Sequence, residues 1–112
     1  MTTDDVRLDL LLDSLRDPLV YCDTEHVIRY MNAVAEKRYA GRPAAVGRSI
    51  LECHNEESNA QILVIADRLA AGEEEVRIGD DGPDRVYVRG VRDPDGRFVG
   101  YYERREPIEE TA

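Results

Sequence analysis

The chain has 112 residues, of which 42% are hydrophobic and 35% charged, and its formal net charge is −9 at pH 7. This size and composition predict one globular domain that needs no disulfide or metal to fold. The negative charge argues against binding to nucleic acid or to an anionic membrane, and no apolar run of about 18 residues could span a bilayer. The chain begins with Met-Thr-Thr-Asp-Asp, which is acidic where a secretion signal needs positive charge, so we expect a cytoplasmic protein. Its two cysteines are then expected to be reduced.

The first predicted element is an amphipathic helix within residues 1–17, which Pro18 ends. Asp4 or Asp5 can cap its start, and its apolar residues recur near the i, i+3, i+4, i+7 spacing of one helical face. A short leucine-rich helix must lie against the sheet of its own chain or against a second copy. We therefore expect a homodimer whose candidate interface consists of Val6, Leu8, Leu11, Leu12 and Leu15.

A tight hairpin follows, with predicted strands at residues 19–22 and 27–31. Between them, Asp23 can hydrogen-bond backbone groups two residues further on and so favours a turn. Asn32 then suits the N-cap of a short helix over residues 33–39. Two short strands joined so closely cannot hide their apolar face alone, so the rest of the chain must cover them.

The middle of the chain can supply that cover with helices. Single helical turns are predicted at residues 43–46 and 50–53. A longer helix then begins after either Asn55 or Ser58 and closes at Gly72, a residue type that favours the position just past a helix end.

The last third of the chain predicts three strands, at residues 75–78, 85–91 and 97–104, and the final two are joined by a strong Asp-Pro-Asp-Gly turn. Residues 107–112 are polar and acidic, and we expect a disordered tail there. The element order therefore predicts an α+β domain over residues 18–106, with five strands and a layer of helices on one face.

Several short motifs in this order resemble those of a PAS domain. They are Pro-Leu-Val-Tyr-Cys-Asp at residues 18–23, Tyr-Met-Asn at 30–32, Ala-Ala-Val-Gly-Arg-Ser-Ile at 44–50 and Arg-Asp-Pro-Asp-Gly-Arg-Phe-Val-Gly at 92–100. Cys53-His54-Asn55 resembles a bacterial subgroup of the PAS superfamily. The resemblance covers residues 14–106 and implies a five-stranded antiparallel sheet in the order 2-1-5-4-3, a cavity between sheet and helices, and a sensing or interaction role.

Candidate ligand-binding residues follow from this implied cavity. A neutral imidazole at His54 could face the cavity and bond a ligand, or it could cap a helix through a backbone carbonyl. Asn32 could cap its helix or contact a ligand at the cavity mouth. Arg89 and Arg104 could point inward to an anionic partner, although we expect them to point outward in cross-strand ion pairs. The full candidate set is Tyr30, Asn32, Cys53, His54, Ile65, Arg89 and Tyr102.

The cysteine and histidine pattern argues against several chemistries. Neighbouring Cys53 and His54 cannot easily point at one metal ion and rarely align as nucleophile and base, so we predict neither a zinc site nor a catalytic thiol. Cys22 alternates with Val20 and is expected to be a small buried hydrophobe. The Asn-Cys-Arg-Phe-Leu pattern of flavin photosensors is missing, so a flavin is not expected. The pattern does not identify a cofactor, and haem ligated by His54 stays open as a minor alternative.

Two functions remain open at this point. The first is a stand-alone PAS sensor that binds a small molecule or cofactor and signals through dimer contacts or a signalling partner. The second is a ligand-free interaction or dimerisation module whose core is filled by side chains. No motif supports an enzyme, and we do not expect one.

Overall fold

A computed structural model of the protein describes residues 7–108, which form helices and strands in the order α-β-β-α-α-β-β-β. The helices are α1 (Leu8–Asp13), α2 (Ala33–Arg38) and α3 (Glu56–Ala70), with a 3₁₀ turn at Ile50–Cys53 between the last two. The strands are β1 (Val20–Asp23), β2 (Ile28–Met31), β3 (Glu75–Asp81), β4 (Asp84–Arg92) and β5 (Phe98–Pro107). None of these helices is long and apolar enough to cross a membrane.

The five strands form one antiparallel sheet in the order β2-β1-β5-β4-β3, which confirms the topology implied by the PAS resemblance. Helices α2 and α3 and the 3₁₀ turn lie over one face of the sheet, which we call the inner face. The buried core lies between these layers and consists of Cys22, Ile28, Met31, Ala35, Ala66, Leu69, Val76 and Tyr101. The α+β class with helices on one face is therefore also confirmed.

Bulges interrupt the strand pairing at positions that decide which side chains face the core. Between β4 and β5, Val91 pairs with Gly100 but Arg92 pairs with Phe98, so Val99 is an extra residue. Phe98 and Tyr101 therefore both pack against the core although they are three residues apart.

The first hairpin repeats this arrangement. Tyr21 pairs with Tyr30 but Cys22 pairs with Ile28, which leaves Arg29 as the extra residue. Ile28 and Met31 are consequently both buried. Tyr30, which directly precedes Met31, points to the outer face of the sheet.

Asn32 is the one fully buried polar side chain among the described residues, with 0% exposure. Its Oδ1 accepts hydrogen bonds from the backbone N–H of Ala35 and of Leu19, both at 2.9 Å. Its Nδ2 donates to the carbonyls of Leu12, at 3.1 Å, and Asp17, at 3.0 Å. One side chain thus caps α2, as predicted, and also ties the start of β1 and the end of α1 to it.

Some boundaries differ from the predicted ones. Helix α1 ends at Asp13, well before Pro18, and the Ser14 hydroxyl donates to the Leu11 carbonyl at 2.6 Å at this end. Asn55, not Ser58, caps α3, and its Oδ1 accepts the Ser58 N–H at 2.8 Å. Residues 43–46 form no helix.

The last strand is longer than predicted and extends through Pro107 into the segment that we expected to be a tail. The Ile108 N–H donates to the Pro83 carbonyl at 2.8 Å, which continues the β4–β5 pairing. The rest of the predicted tail, together with the predicted caps Asp4 and Asp5 and interface residue Val6, lies outside the described residues.

We expect the substitution Asn32→Ala to lower the free energy of unfolding by about 3 kcal/mol or more, because it removes the partners of two N–H groups and two carbonyls in the protein interior. Urea denaturation monitored by circular dichroism measures this change. Asn55→Ala is the matched control, since it removes one cap bond at an exposed helix start and should cost about 1 kcal/mol. Equal losses for the two variants would contradict the role given to Asn32.

Candidate functional site

A cavity of about 300 Å³ lies between the inner face of the sheet and the helices. Its apolar lining comes from the sheet through Val20 and Val88 and from the opposite side through Ala44, Ile50, Ile62 and Ile65. Polar groups that reach it are Tyr39, Arg42, His54, Ser58, Gln61 and Glu103. An apolar body with a few convergent polar groups is the usual character of a small-molecule site.

Tyr101 and Cys22 are neighbours across β1 and β5 and form part of the cavity wall. A 2.9 Å hydrogen bond joins the Tyr101 hydroxyl to Nδ1 of His26, which sits in the β1–β2 turn with a positive φ of 66°. Burial raises the pKa of the Cys22 thiol to about 12 and also raises the pKa of the Tyr101 hydroxyl. Cys22 is therefore a neutral, buried residue, as predicted, and not a nucleophile.

His54 lines the cavity and also makes the backbone contact that was considered as the alternative. Its Nδ1 lies 3.0 Å from the carbonyl oxygen of Ile50. Because a carbonyl only accepts, Nδ1 must carry a proton in this contact, and a ring protonated only there has Nε2 as an acceptor. Cys53 also lines the cavity, and burial raises the pKa of its thiol.

Among the other predicted site residues, Ile65 lines the cavity, whereas Tyr30 and Tyr102 do not. The expectation that these two tyrosines point inward was wrong. Tyr30 donates through its hydroxyl to Asp13 Oδ1 at 3.2 Å, on the outer side of the first hairpin. The bulges at Arg29 and Val99 reverse the alternation on which that expectation rested.

Asn32 and Arg89 are also outside the cavity. The side chain of Asn32 has used both of its acceptor positions and both of its donor hydrogens within the protein, so nothing is left for a ligand. Arg89 lies on the outer face, where its Nη1 is 3.7 Å from Oε1 of Glu75. It therefore belongs to a surface ion-pair group rather than to the site.

The expected outward orientation of Arg89 and Arg104 is confirmed. Arg104 donates to both carboxylate oxygens of Glu75, at 2.5 and 2.9 Å, and its guanidinium lies 4.2 Å from the ring centre of Tyr87. Its Nη1 donates to Glu106 at 3.1 Å. These bonds lower the pKa of the Glu75 and Glu106 carboxyls. Solvent screens exposed pairs of this kind, so they contribute little to stability.

The inward-facing guanidinium is Arg105, which sequence reasoning missed. Only 7% of its side chain is exposed, and it donates to Asp81 Oδ2 at 2.7 Å and to Glu103 Oε1 at 3.1 Å. Tyr101, Glu103 and Arg105 share the inner face because of the bulge at Val99. Gly100 was the available signal in the sequence, because it faces the outer side, where a Cβ would clash with the Tyr21 hydroxyl and the Cys22 carbonyl.

The haem expectation does not fit this cavity well. His54 has the tautomer that iron ligation through Nε2 requires. However, 300 Å³ corresponds to about ten water molecules, which is far less than a porphyrin occupies. Among residues 7–108, no three His, Cys, Asp or Glu side chains come together as metal ligands would.

Comparison with known families identifies the class of the protein. Residues 12–112 match the family profile described as the PAS fold, so the chain belongs to the PAS family. PAS domains are generally sensory or interaction modules rather than enzymes. No curated protein matches the sequence.

Several solved structures share this fold. A sensory box sensor histidine kinase from Vibrio cholerae has 23% identity and a TM-score of 0.66, over 90% of this chain and 88% of that chain. VqmA bound to DPO has 17% identity and a TM-score of 0.66, over 91% and 57% of the two chains. The Vibrio cholerae VqmA dimer has 16% identity and a TM-score of 0.68, over 98% and 54%. At these identities the similarity establishes the fold.

The two thiols should differ sharply in reactivity. Because the thiolate is the reactive form, a pKa of about 12 leaves roughly one part in ten thousand of Cys22 reactive at pH 8. We expect iodoacetamide to modify Cys53 within the folded protein and to reach Cys22 only after unfolding in urea. Mass spectrometry of the single-cysteine variants Cys22→Ala and Cys53→Ala measures both rates. Similar rates in the folded protein would contradict the buried position of Cys22.

Proposed function

We propose that this PAS domain is a sensor that binds a small, mainly apolar molecule in the cavity between its sheet and helices. The observation that carries the proposal is the cavity itself, whose volume of about 300 Å³ lies at the lower end of the range for ligand pockets. The alternative of a ligand-free module would require side chains to fill this volume. A molecule with a single ring or a short chain matches the space.

The similar structures support this function by analogy. One belongs to a sensor histidine kinase, and VqmA was solved bound to DPO. We extend to this chain only the general idea that a small molecule occupies the domain. The residues that would contact it are those of the cavity wall described above, including Cys53, His54 and Ile65 from the predicted set.

A signal can leave the cavity through α2 and α1. Tyr39, which follows α2, lines the cavity, and the start of α2 is held by Asn32. Because Asn32 also bonds the carbonyls of Leu12 and Asp17, any displacement of α2 acts directly on the end of α1. A ligand shifts this arrangement only to the extent that it prefers one position of the helices.

The outer surface of α1 is the proposed output surface, with a second copy of the chain as its partner. Leu8 and Leu11 on α1 are 55% and 57% exposed, and Leu15, two residues beyond the end of the helix, is 44% exposed. Leu10 is 56% exposed as well, whereas Leu12 is partly buried and faces the body of the domain. An exposed leucine cluster of this kind marks an interaction site, and VqmA, which shares the fold, forms a dimer.

Filling the cavity should weaken ligand binding. We expect Ile65→Phe to place a ring in the cavity and to weaken the binding of ethylbenzene, used as an apolar probe, by about tenfold or more. Chemical-shift changes in ¹H–¹⁵N NMR spectra measure the affinity, and native mass spectrometry of the purified protein tests for a retained ligand. Val64→Phe is the matched control, because the neighbouring Val64 is 58% exposed. The proposal fails if ethylbenzene does not bind the unmodified protein.

A charge on α1 should separate the proposed dimer. Leu11→Glu places a carboxylate in the centre of the leucine cluster, and we expect the molar mass from light scattering to fall from that of two chains to that of one. Leu63→Glu, on the exposed side of α3, is the control and should leave the mass unchanged. A dimer that survives Leu11→Glu would place the interface elsewhere, and a monomeric unmodified protein would exclude it.

A further inference from the structure

A positively charged side chain, Arg42, lies where the cavity meets solvent. Arg42, His54 and Gln61 line the cavity and are also exposed, so the cavity opens beside these residues. The buried part of its wall, at Cys22 and Tyr101, is uncharged. A molecule in the cavity therefore has one end in an apolar interior and the other end beside a guanidinium.

The turn that follows α2 places Arg42 at the cavity. The Arg42 N–H donates to the Tyr39 carbonyl at 3.0 Å, and Gly41 between them has a φ of 81°. A positive φ of this size favours glycine, and the ring of Pro43 then restricts the backbone on the other side of Arg42. This turn brings both Tyr39 and Arg42 to the cavity wall.

The Arg42 guanidinium has no hydrogen bond or ion pair within residues 7–108, although the chain has 24 acidic residues. The other arginines of this segment pair with a carboxylate or, for Arg92, donate to backbone carbonyls. Arg97, in the turn between β4 and β5, is the other exception. A planar fork of N–H donors on Arg42 is therefore available at the opening of the cavity.

The charges of the cavity wall and of its partners leave a positive excess. Glu103 also lines the cavity, and it accepts from Arg105 at 3.1 Å. Arg105 donates to Asp81 as well, and Asp81 also pairs with Arg38. The guanidinium groups of Arg38, Arg42 and Arg105 thus oppose two carboxylates. An anionic group beside Arg42 would balance this charge, whereas a cationic group would increase the excess.

Ser58 and Gln61, one turn apart on α3, offer further hydrogen-bond donors to the same cavity. Neither side chain has a hydrogen-bond partner in the described part of the chain, so the hydroxyl and the amide N–H can both donate to a ligand. Glu56 and Glu57, which precede Ser58 in the first turn of α3, do not line the cavity. The donors of α3 and of the Arg42 turn therefore favour the same kind of ligand group.

From these observations we propose that the cavity binds a monocarboxylic acid with a short apolar body, whose carboxylate accepts from Arg42 and Ser58. The body lies among Ile50, Ile62 and Val88. A carboxylate matches the fork of a guanidinium through two parallel hydrogen bonds. Arg42 supplies a single charge, so a dianion such as a phosphate monoester would keep one charge unpaired. The inference rests on the proposed function, because it names the chemical class of the ligand in the same cavity.

Four probes that share a benzyl body test the head group in the full chain: phenylacetate, phenylacetamide, phenethylamine and ethylbenzene. We expect phenylacetate to bind at least about fivefold more tightly than phenylacetamide, which has the same size without the charge, and phenethylamine to bind more weakly than the amide. The expected gain is only several-fold because Arg42 is exposed and solvent screens its charge. Dissociation constants come from NMR titration.

The substitution Arg42→Gln tests where the carboxylate lies. It removes the charge of a side chain that has no partner, so the fold should be unaffected, and urea denaturation verifies this. We expect the affinity for phenylacetate to fall about fivefold and that for phenylacetamide to stay within about twofold. Arg97→Gln is the matched control, because Arg97 also lacks a partner among residues 7–108 but does not line the cavity. It changes the net charge by the same amount and should leave both affinities unchanged.

The outcomes distinguish this inference from the proposed function. A preference for phenylacetate that is lost in Arg42→Gln and kept in Arg97→Gln supports both. If ethylbenzene binds but phenylacetate binds no better than the amide, or if the two arginine variants have equal effects, the carboxylate assignment is overturned while the cavity remains a ligand site. Ile65→Phe should also weaken phenylacetate, and an unchanged affinity would place that ion on the surface and overturn the inference. If no probe binds, the proposed function and the inference fail together.

Discussion

The hydrogen bonds of the Asn32 side chain are the constraint on which the cavity depends. Three elements meet at this residue, namely the end of α1, the start of β1 and the start of α2, and each leaves backbone groups that its own structure cannot satisfy. An asparagine has two acceptor positions and two donor hydrogens and can serve all of them, whereas an aspartate would have no donors for the two carbonyls. Because α2 is fixed at this point, it stands over the sheet at a distance that leaves room for a ligand.

The bulge in β5 determines which side chains of this strand lie on the inner face of the sheet. An unbulged β5 with Phe98 in the core would also turn Gly100, Tyr102 and Arg104 inward by simple alternation. The extra residue Val99 instead keeps Phe98 in the core and brings Tyr101, Glu103 and Arg105 to the inner face. This one extra residue thus turns Tyr101, Glu103 and Arg105 to the inner face and Tyr102 and Arg104 to the outer face. It explains why Glu103 lines the cavity and why Arg105 lies on the same face of β5.

The fold could be predicted from the sequence, but the cavity wall could only partly be predicted. Turn residues, helix caps and apolar spacing are local signals, and they located the hairpins, Asn32 and the end of α3 at Gly72. Residues on helices and loops, such as His54 and Ile65, were correctly expected at the cavity for the same reason. Which side chains of β5 face the core depends on how the strand pairs with β4 and β1, and this pairing is not a local property of the sequence. The residues at 101, 103 and 105 and those at 102, 104 and 106 each include one tyrosine and two charged groups, so composition does not tell the two sets apart. From the sequence we therefore expected Tyr102 at the cavity, whereas Tyr101 lines it in the structure.

Helix α2 is held at both ends by polar contacts, and Tyr39, which follows it, lines the cavity. Asn32 holds its start, and Arg38 at its end pairs with Asp81, the same carboxylate that accepts from Arg105. The start of α2 is joined through the Asn32 side chain to the backbone carbonyls of Leu12 and Asp17. A helix of only six residues has too few internal bonds to hold its position alone, and its position must follow these contacts.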